Sequence, residues 1–136
     1  MTGKKIMIVD DDKIFLDELE EILVLNGYHT IAIHDSTSVL DAVKTQTPDL
    51  IILDIKMDGM NGFQLADSLK RMQATAHIPI IGTSAIFTIE NNFEDNFFLM
   101  DFCYIFHKPI NPLEFIDKIE EVLLEDKVDI KQSIQS

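Results

Sequence analysis

Aspartates end two of the apolar runs in the sequence. The run IMIV is followed without a spacer by Asp10, Asp11 and Asp12. The run LIIL is followed directly by Asp54. Carboxylates that lie close together repel one another, and each loses hydration where a hydrophobic core begins. The aspartates therefore belong either to a solvated loop or to a site that binds a cation.

A hydroxyl and a cation follow two later apolar runs, at Ser84 and Lys108. A lysine suits a phosphoryl group as a point charge, and a hydroxyl can donate to a phosphoryl oxygen. An aspartate can be a nucleophile that forms an aspartyl-phosphate. Mg²⁺ takes oxygen ligands and usually binds one or two carboxylates together with waters and phosphate oxygens. These residue types predict Mg²⁺-dependent phosphoryl transfer to an aspartate.

The elements that must position these side chains alternate along the chain. Short apolar segments predict five strands: Ile6–Val9, Tyr28–Ile33, Leu50–Leu53, Pro79–Thr83 and Tyr104–Phe106. Helical spacing predicts five helices: Lys13–Asn26, one that starts at Ser36 as N-cap and ends before Pro48, Gly62–Met72, Ile86–Met100, and one that begins at Asn111-Pro112. The alternation predicts an α/β fold: a doubly wound, five-stranded parallel sheet (flavodoxin-like) with helices on both faces.

The predicted strand order explains how distant residues could form one site. Ligands of doubly wound sheets bind outside the carboxyl ends of the strands, where the strand order reverses. In the order 2-1-3-4-5, the first and third strands are neighbours. Asp10, Asp11, Asp54, Ser84 and Lys108 would then share one edge of the sheet.

Composition excludes some partners. The chain has 136 residues, which fits one domain, and its formal net charge is −13. That charge disfavours binding to nucleic acid or to an anionic membrane surface, because both depend on lysine and arginine. No signal peptide or membrane span is evident, so a cytoplasmic protein is expected.

Other residues carry smaller predictions. Cys103 precedes an apolar run and is expected to be a small core residue. Leu113 is expected on the inner face of the last helix, together with Ile116, Ile119, Val122 and Leu123. The histidines lack metal-ligand spacing and are expected at or near the surface: His29, His34, His77 and His107.

Four motifs in order resemble a known family. The segments IMIVDDD, LIILDIKMDGMNGF, PIIGTSA and FHKP resemble the receiver domain of two-component response regulators, over roughly residues 4–124. The resemblance implies a receiver domain over residues 1–125, a polar tail over residues 126–136 and no output domain.

The resemblance also implies a role for each site residue. Asp54 would be the phosphoacceptor. Asp11 would bind Mg²⁺ directly, Asp10 through water and Lys56 through its backbone carbonyl. Asp54 itself would be a further Mg²⁺ ligand.

The remaining motif residues would contact the phosphoryl group or start a helix. Ser84 would be the phosphoryl-binding hydroxyl and Lys108 the phosphoryl-binding cation. Asp12 lies just outside the acidic pair and is expected to help start the first helix, where a carboxylate is favourable.

Two departures from the family pattern concern signal output. Asp58 stands where a proline is usual, beside the acceptor. Ser84 and Ile105 form the switch region, and Ile105 stands at the position in it where an aromatic residue is usual. These departures leave the active-site residues intact and call the usual output surface into question.

The implied function is phosphorelay signalling. The phosphoryl donor would be a sensor histidine kinase or a histidine phosphotransfer protein. The domain would signal through contacts with an unknown downstream protein or as a homodimer, and it would catalyse only its own phosphorylation and dephosphorylation. Two alternatives stay open: a phosphorylation-independent pseudo-receiver, and a haloacid-dehalogenase-type phosphohydrolase in which Asp10 and Asp12 form the nucleophile motif.

Overall fold

The computed structural model describes residues 3–56, 62–85 and 101–135, with residues 125–135 described through their backbone. The loop at Asp58 and the helix predicted over Ile86–Met100 lie outside the described residues.

Five parallel strands form a single sheet. They are β1 (Lys5–Val9), β2 (His29–Ile33), β3 (Leu50–Asp54), β4 (Ile80–Ser84) and β5 (Tyr104–His107). Their order is β2-β1-β3-β4-β5, and each neighbouring pair is parallel. The structure confirms the predicted fold class and strand order.

Four α-helices lie within the described residues: α1 (Lys13–Leu25), α2 (Val39–Gln46), α3 (Gly62–Arg71) and α4 (Pro112–Gln135). The backbone of α4 is helical through Gln135, so the segment predicted as a polar tail from residue 126 continues this helix. Among the described residues, no helix is long and apolar enough to cross a membrane.

The sheet carries an apolar cluster on each face because successive side chains of a strand point to opposite sides. Ile6 and Ile8 of β1 pack with residues of α1 and α4 in one cluster. Met7 and Val9 of the same strand pack with residues of α2 and α3 in the other. Helices therefore cover both faces and leave the carboxyl ends of the strands for a site.

The structure confirms one of two predicted helix caps. Asn111 caps α4 as predicted, since its Oδ1 accepts hydrogen bonds from the backbone N–H of Leu113 at 3.0 Å and Glu114 at 3.2 Å. The prediction that Ser36 is the cap of the second helix is wrong. A 3₁₀ turn over Ser36–Ser38 precedes α2, and Asp35 caps that turn by accepting from the backbone N–H of Thr37 at 3.0 Å.

Two predictions of burial are also wrong. Leu113 is 78% exposed, whereas Phe115 is fully buried and occupies the core beneath α4. Cys103 is exposed, although its Sγ lies 3.4 Å from the carbonyl oxygen of Ile80. The four histidines are exposed, as expected.

Candidate functional site

The carboxyl ends of four strands bring the predicted site residues to one edge of the sheet. Asp10 follows β1, Asp54 ends β3, Ser84 ends β4 and Lys108 follows β5. The register pairs Asp54 with Thr83 and Ser84 with His107, so these strand ends lie side by side. Asp10, Asp54 and Ser84 are each at most 5% exposed.

Lys108 is the cation of this edge. Its Nζ donates to Asp10 Oδ2 at 2.8 Å and lies 3.8 Å from Asp54 Oδ2. The lysine side chain is only 16% exposed, so solvent screens these ion pairs weakly. One lysine thus bridges two buried carboxylates that come from different strands.

The three consecutive aspartates have different roles in the structure. Asp10 Oδ1 accepts a hydrogen bond from the backbone N–H of Asp12 at 2.9 Å. Asp12 is exposed and caps α1, because its Oδ1 accepts from the backbone N–H of Ile14 at 3.1 Å and Phe15 at 3.3 Å. Asp12 therefore caps the helix, as expected.

Asp54 has a perturbed pKa. Burial raises the pKa of its carboxyl, and the negative charge of Asp10 raises it further, to about 7. Lys108 and a hydrogen bond from the backbone N–H of Lys56, 3.3 Å from Asp54 Oδ1, act in the opposite direction. The ionised form of Asp54 is thus poorly compensated by the protein alone.

The donor set fits a hard divalent cation. One carboxylate oxygen from each of Asp10, Asp11 and Asp54 can be chosen so that all three lie within 4.8 Å of one another. Burial and the charges of Asp10 and Asp11 raise the pKa of Asp54 despite the opposing charge of Lys108, so a further cation would stabilise the ionised carboxylates. Oxygen donors of this kind suit Mg²⁺.

Ser84 is the last residue of β4, and Lys56 lies two residues after the end of β3. The carbonyl oxygen of Ser84 accepts from the backbone N–H of Lys108 at 2.9 Å, which fixes the start of the Lys108–Pro109 segment, whose peptide bond is cis. The Lys56 side chain is exposed. Ile105 is half-buried against the apolar cluster beneath α2 and α3.

Two residues that support the site were not assigned to it from the sequence. Phe15 has no site role in the sequence motifs, yet the centroid of its ring lies 4.1 Å from Lys108 Nζ. Gly62 was taken only as a helix residue, yet a Cβ built on it would overlap the carbonyl oxygen of Asp54. The sequence signal for both is weak: each stands at the N-terminal end of a helix that enters from the site edge.

Replacing the cap should separate the aspartates experimentally. We expect Asp12→Ala to lower the free energy of unfolding by about 1 kcal/mol, because the first turn of α1 loses its cap. Mg²⁺ affinity, measured by isothermal titration calorimetry, should stay close to that of the unchanged protein. Asp11→Ala is the matched control and should weaken Mg²⁺ binding instead. Equal weakening by both variants would contradict this division of roles.

Comparison with known proteins identifies the family. The family model of the response regulator receiver domain matches residues 6–120. The chain belongs to the response regulator receiver family. Members of this family are signalling modules of two-component systems, so the resemblance seen in the four motifs is confirmed.

Relatives and solved structures agree with this membership. The receiver is 32% identical over 123 residues to the phosphate regulon transcriptional regulatory protein PhoB of Pseudomonas aeruginosa, covering 90% of this chain and 53% of that protein. It is 30% identical over 82 residues to the polar-differentiation response regulator DivK of Brucella ovis, covering 60% of this chain and 67% of DivK. A CheY-like receiver domain protein from Methanospirillum hungatei superimposes with a TM-score of 0.82 at 26% identity, covering 93% of this chain and 98% of that one.

The receiver matches only part of some longer relatives. It spans about half of PhoB, and 21% of another matching regulator, from Arabidopsis thaliana.

Proposed function

We propose that this receiver domain accepts a phosphoryl group on Asp54, in the presence of Mg²⁺, from a phosphohistidine of a sensor histidine kinase or a histidine phosphotransfer protein. The observation that carries the proposal is the bridge made by Lys108, whose Nζ lies 2.8 Å from Asp10 Oδ2 and 3.8 Å from Asp54 Oδ2. Such a lysine holds a positive charge beside the carboxylate that would become phosphorylated.

The chemistry follows from the groups at the strand ends. A carboxylate oxygen of Asp54 attacks phosphorus while the P–N bond to histidine breaks, and the imidazole nitrogen keeps the electron pair of that bond. Lys108 pairs with a phosphoryl oxygen, and the Ser84 hydroxyl donates to another.

The proposed metal ligands are Asp11, Asp54, the backbone carbonyl of Lys56 and, through water, Asp10. When bound, Mg²⁺ neutralises the negative charge of the phosphoryl oxygens and of the acidic residues. The fit rests on three carboxylates whose oxygens come within 4.8 Å of one another.

The output would be a change in protein contacts. A phosphoaspartate adds a charge of about −1.5 to −2, by analogy with other phosphorylated residues. That charge can change the contacts of Ser84 and, through them, those of the half-buried Ile105. We propose residues 1–125 as the receiver and residues 126–136 as a polar extension, acting in the cytoplasm on a downstream protein or a second copy. The domain would catalyse only its own phosphorylation and dephosphorylation.

Intact mass spectrometry tests the proposal. The protein is incubated with Mg²⁺ and a small acyl phosphate, and we expect a single phosphoryl adduct that disappears with a chelator or in Asp54→Asn. Asp117→Asn, at an exposed position of α4, is the matched control and should keep the adduct. An adduct that survives Asp54→Asn, or multiple turnover of a chromogenic phosphomonoester, would overturn the proposal.

A further inference from the structure

An aromatic ring at the start of α1 lies against the lysine of the site. The centroid of the Phe15 ring is 4.1 Å from Lys108 Nζ. We propose that Phe15 is a positioning residue: its ring face holds the Lys108 ammonium beside Asp10 and Asp54 for phosphoryl transfer. This inference rests on the proposed function. It adds to the site a residue that lies outside the four sequence motifs.

Hydrogen bonds link Phe15 to Asp10, another residue that contacts the Lys108 ammonium. The backbone N–H of Phe15 donates to Asp12 Oδ1 at 3.3 Å, and the backbone N–H of Asp12 donates to Asp10 Oδ1 at 2.9 Å. Asp10 in turn accepts from Lys108 Nζ at 2.8 Å. The loop of consecutive aspartates therefore sets both the ring and the carboxylate that hold the ammonium.

The ring supplies an attraction that an aliphatic side chain cannot. The Lys108 side chain is only 16% exposed, so its ammonium has lost most of its hydration. The electron-rich face of an aromatic ring compensates part of that loss, and the attraction grows when the cation is desolvated. A leucine of similar bulk would exclude water from the ammonium without that compensation.

A neutral ring also suits a lysine that must change partners. An ammonium has three N–H donors. In the free protein they serve Asp10 and lie near Asp54, and during transfer one of them must turn to a phosphoryl oxygen. The ring holds the ammonium through its face and does not compete for the phosphoryl oxygens, whereas a further carboxylate would.

Core packing alone is the competing account of Phe15. The residue is half-buried at the edge of the cluster beneath α1, whereas Leu16, Leu19 and Leu23 are the residues of this helix that are buried within the cluster. Phe15→Leu keeps an apolar side chain at this edge and removes the ring. Phe15→Tyr keeps the ring and is the conservative control.

Phosphorylation rates and lysine NMR signals test the role. The pseudo-first-order rate with an acyl phosphate and saturating Mg²⁺ should fall by about twofold to thirtyfold in Phe15→Leu, the range that one cation–π contact spans. Phe15→Tyr should restore the rate. The ε-methylene protons of Lys108, assigned with Lys108→Arg, should show an upfield ring-current shift in the unchanged protein and in Phe15→Tyr. That shift should be absent in Phe15→Leu.

The outcomes separate this inference from the proposed function. An unchanged rate in Phe15→Leu, with the adduct still formed on Asp54, overturns the role of Phe15 and leaves the function standing. An equally slow Phe15→Tyr shows that the ring face is not the cause and overturns the inference as well. No adduct in the unchanged protein overturns the proposed function and the role of Phe15 together. Should Phe15→Leu fail to fold, Phe15→Met takes its place as the non-aromatic variant.

Discussion

Asp54→Asn should raise the free energy of unfolding of the metal-free protein by about 2 kcal/mol at pH 8. At that pH the carboxylate is ionised, only 5% exposed and close to the charge of Asp10. Asparagine has nearly the same shape, can accept the hydrogen bond from the backbone N–H of Lys56 and carries no charge. Removing the acceptor should therefore stabilise the fold while abolishing phosphorylation.

The difference in stability between the unchanged protein and Asp54→Asn should depend on pH. The pKa of Asp54 rises from 3.8 to about 7 on folding, so between these values the folded state binds a proton that the unfolded state has lost. The contribution of Asp54 to stability should consequently fall as the pH rises from about 4 to about 7. The advantage of Asp54→Asn should shrink as the pH falls towards 4 and vanish well below that pH, where the aspartate is neutral in both states.

Urea unfolding at several pH values, with a chelator present, measures this difference. Asp117→Asn is the control for loss of an exposed charge and should change stability by less than about 0.5 kcal/mol. Saturating Mg²⁺ should stabilise the unchanged protein and reduce or reverse the difference, because only the folded state offers the complete ligand set. Equal stability of the unchanged protein and Asp54→Asn at pH 8 would show that the buried Asp54 charge does not destabilise the fold, and would contradict the prediction.

Gly62→Ala should lower the free energy of unfolding by at least about 3 kcal/mol. A Cβ at this first residue of α3 would overlap the carbonyl oxygen of Asp54 and would lie 2.7 Å from Ile55 Cα. These are backbone atoms at the end of β3, so relief requires a shift of the strand that carries the acceptor. Helix propensity alone predicts the opposite sign, since alanine favours a helix over glycine by about 1 kcal/mol.

A second glycine is the control for this prediction. Gly3 has a positive φ of 86°, and a Cβ there would meet nothing within 4 Å. Gly3→Ala should thus cost only about 1 kcal/mol, from backbone conformation. Thermal and urea unfolding measure both variants: Gly62→Ala reports the steric overlap, and Gly3→Ala reports backbone strain alone. A Gly62→Ala protein as stable as the unchanged one would show that α3 can move away from β3.

The fold and the acidic site could be predicted because the ends of the strands can be recognised in the sequence. An apolar run that stops at an aspartate or precedes a lysine marks a carboxyl end, and the strand order then brings those ends together. Asp10 and Lys108 are 98 positions apart in sequence, yet their side chains form a 2.8 Å ion pair. The prediction needed only the topology, not the detailed packing.

Helix faces were predicted less well because several residues fit a helical period equally. Leu113 and Phe115 both stand in the first turns of α4, and only the packing beneath the helix decides that Phe115 is buried and Leu113 exposed. The 3₁₀ turn before α2 shifted the cap from Ser36 to Asp35 for a similar reason. Asp and Ser are both good caps, and periodicity does not locate a tight turn.

The supporting contacts of Phe15 and Gly62 could not be predicted at all. Phe15 contacts a lysine that is far away in sequence, after β5, and Gly62 lies against the end of the preceding strand, β3; no local pattern records either contact. Their detection required the tertiary structure.

The position of the phosphoryl group decides whether Asp54 is the acceptor. The protein is phosphorylated with an acyl phosphate and Mg²⁺ and then reduced with borohydride, which converts an aspartyl-phosphate into homoserine. Tandem mass spectrometry of the peptide that carries residue 54 identifies the modified position. We expect homoserine at position 54 and aspartate at positions 10, 11 and 12. Homoserine at one of the first three aspartates, with Asp54 unmodified, would contradict it.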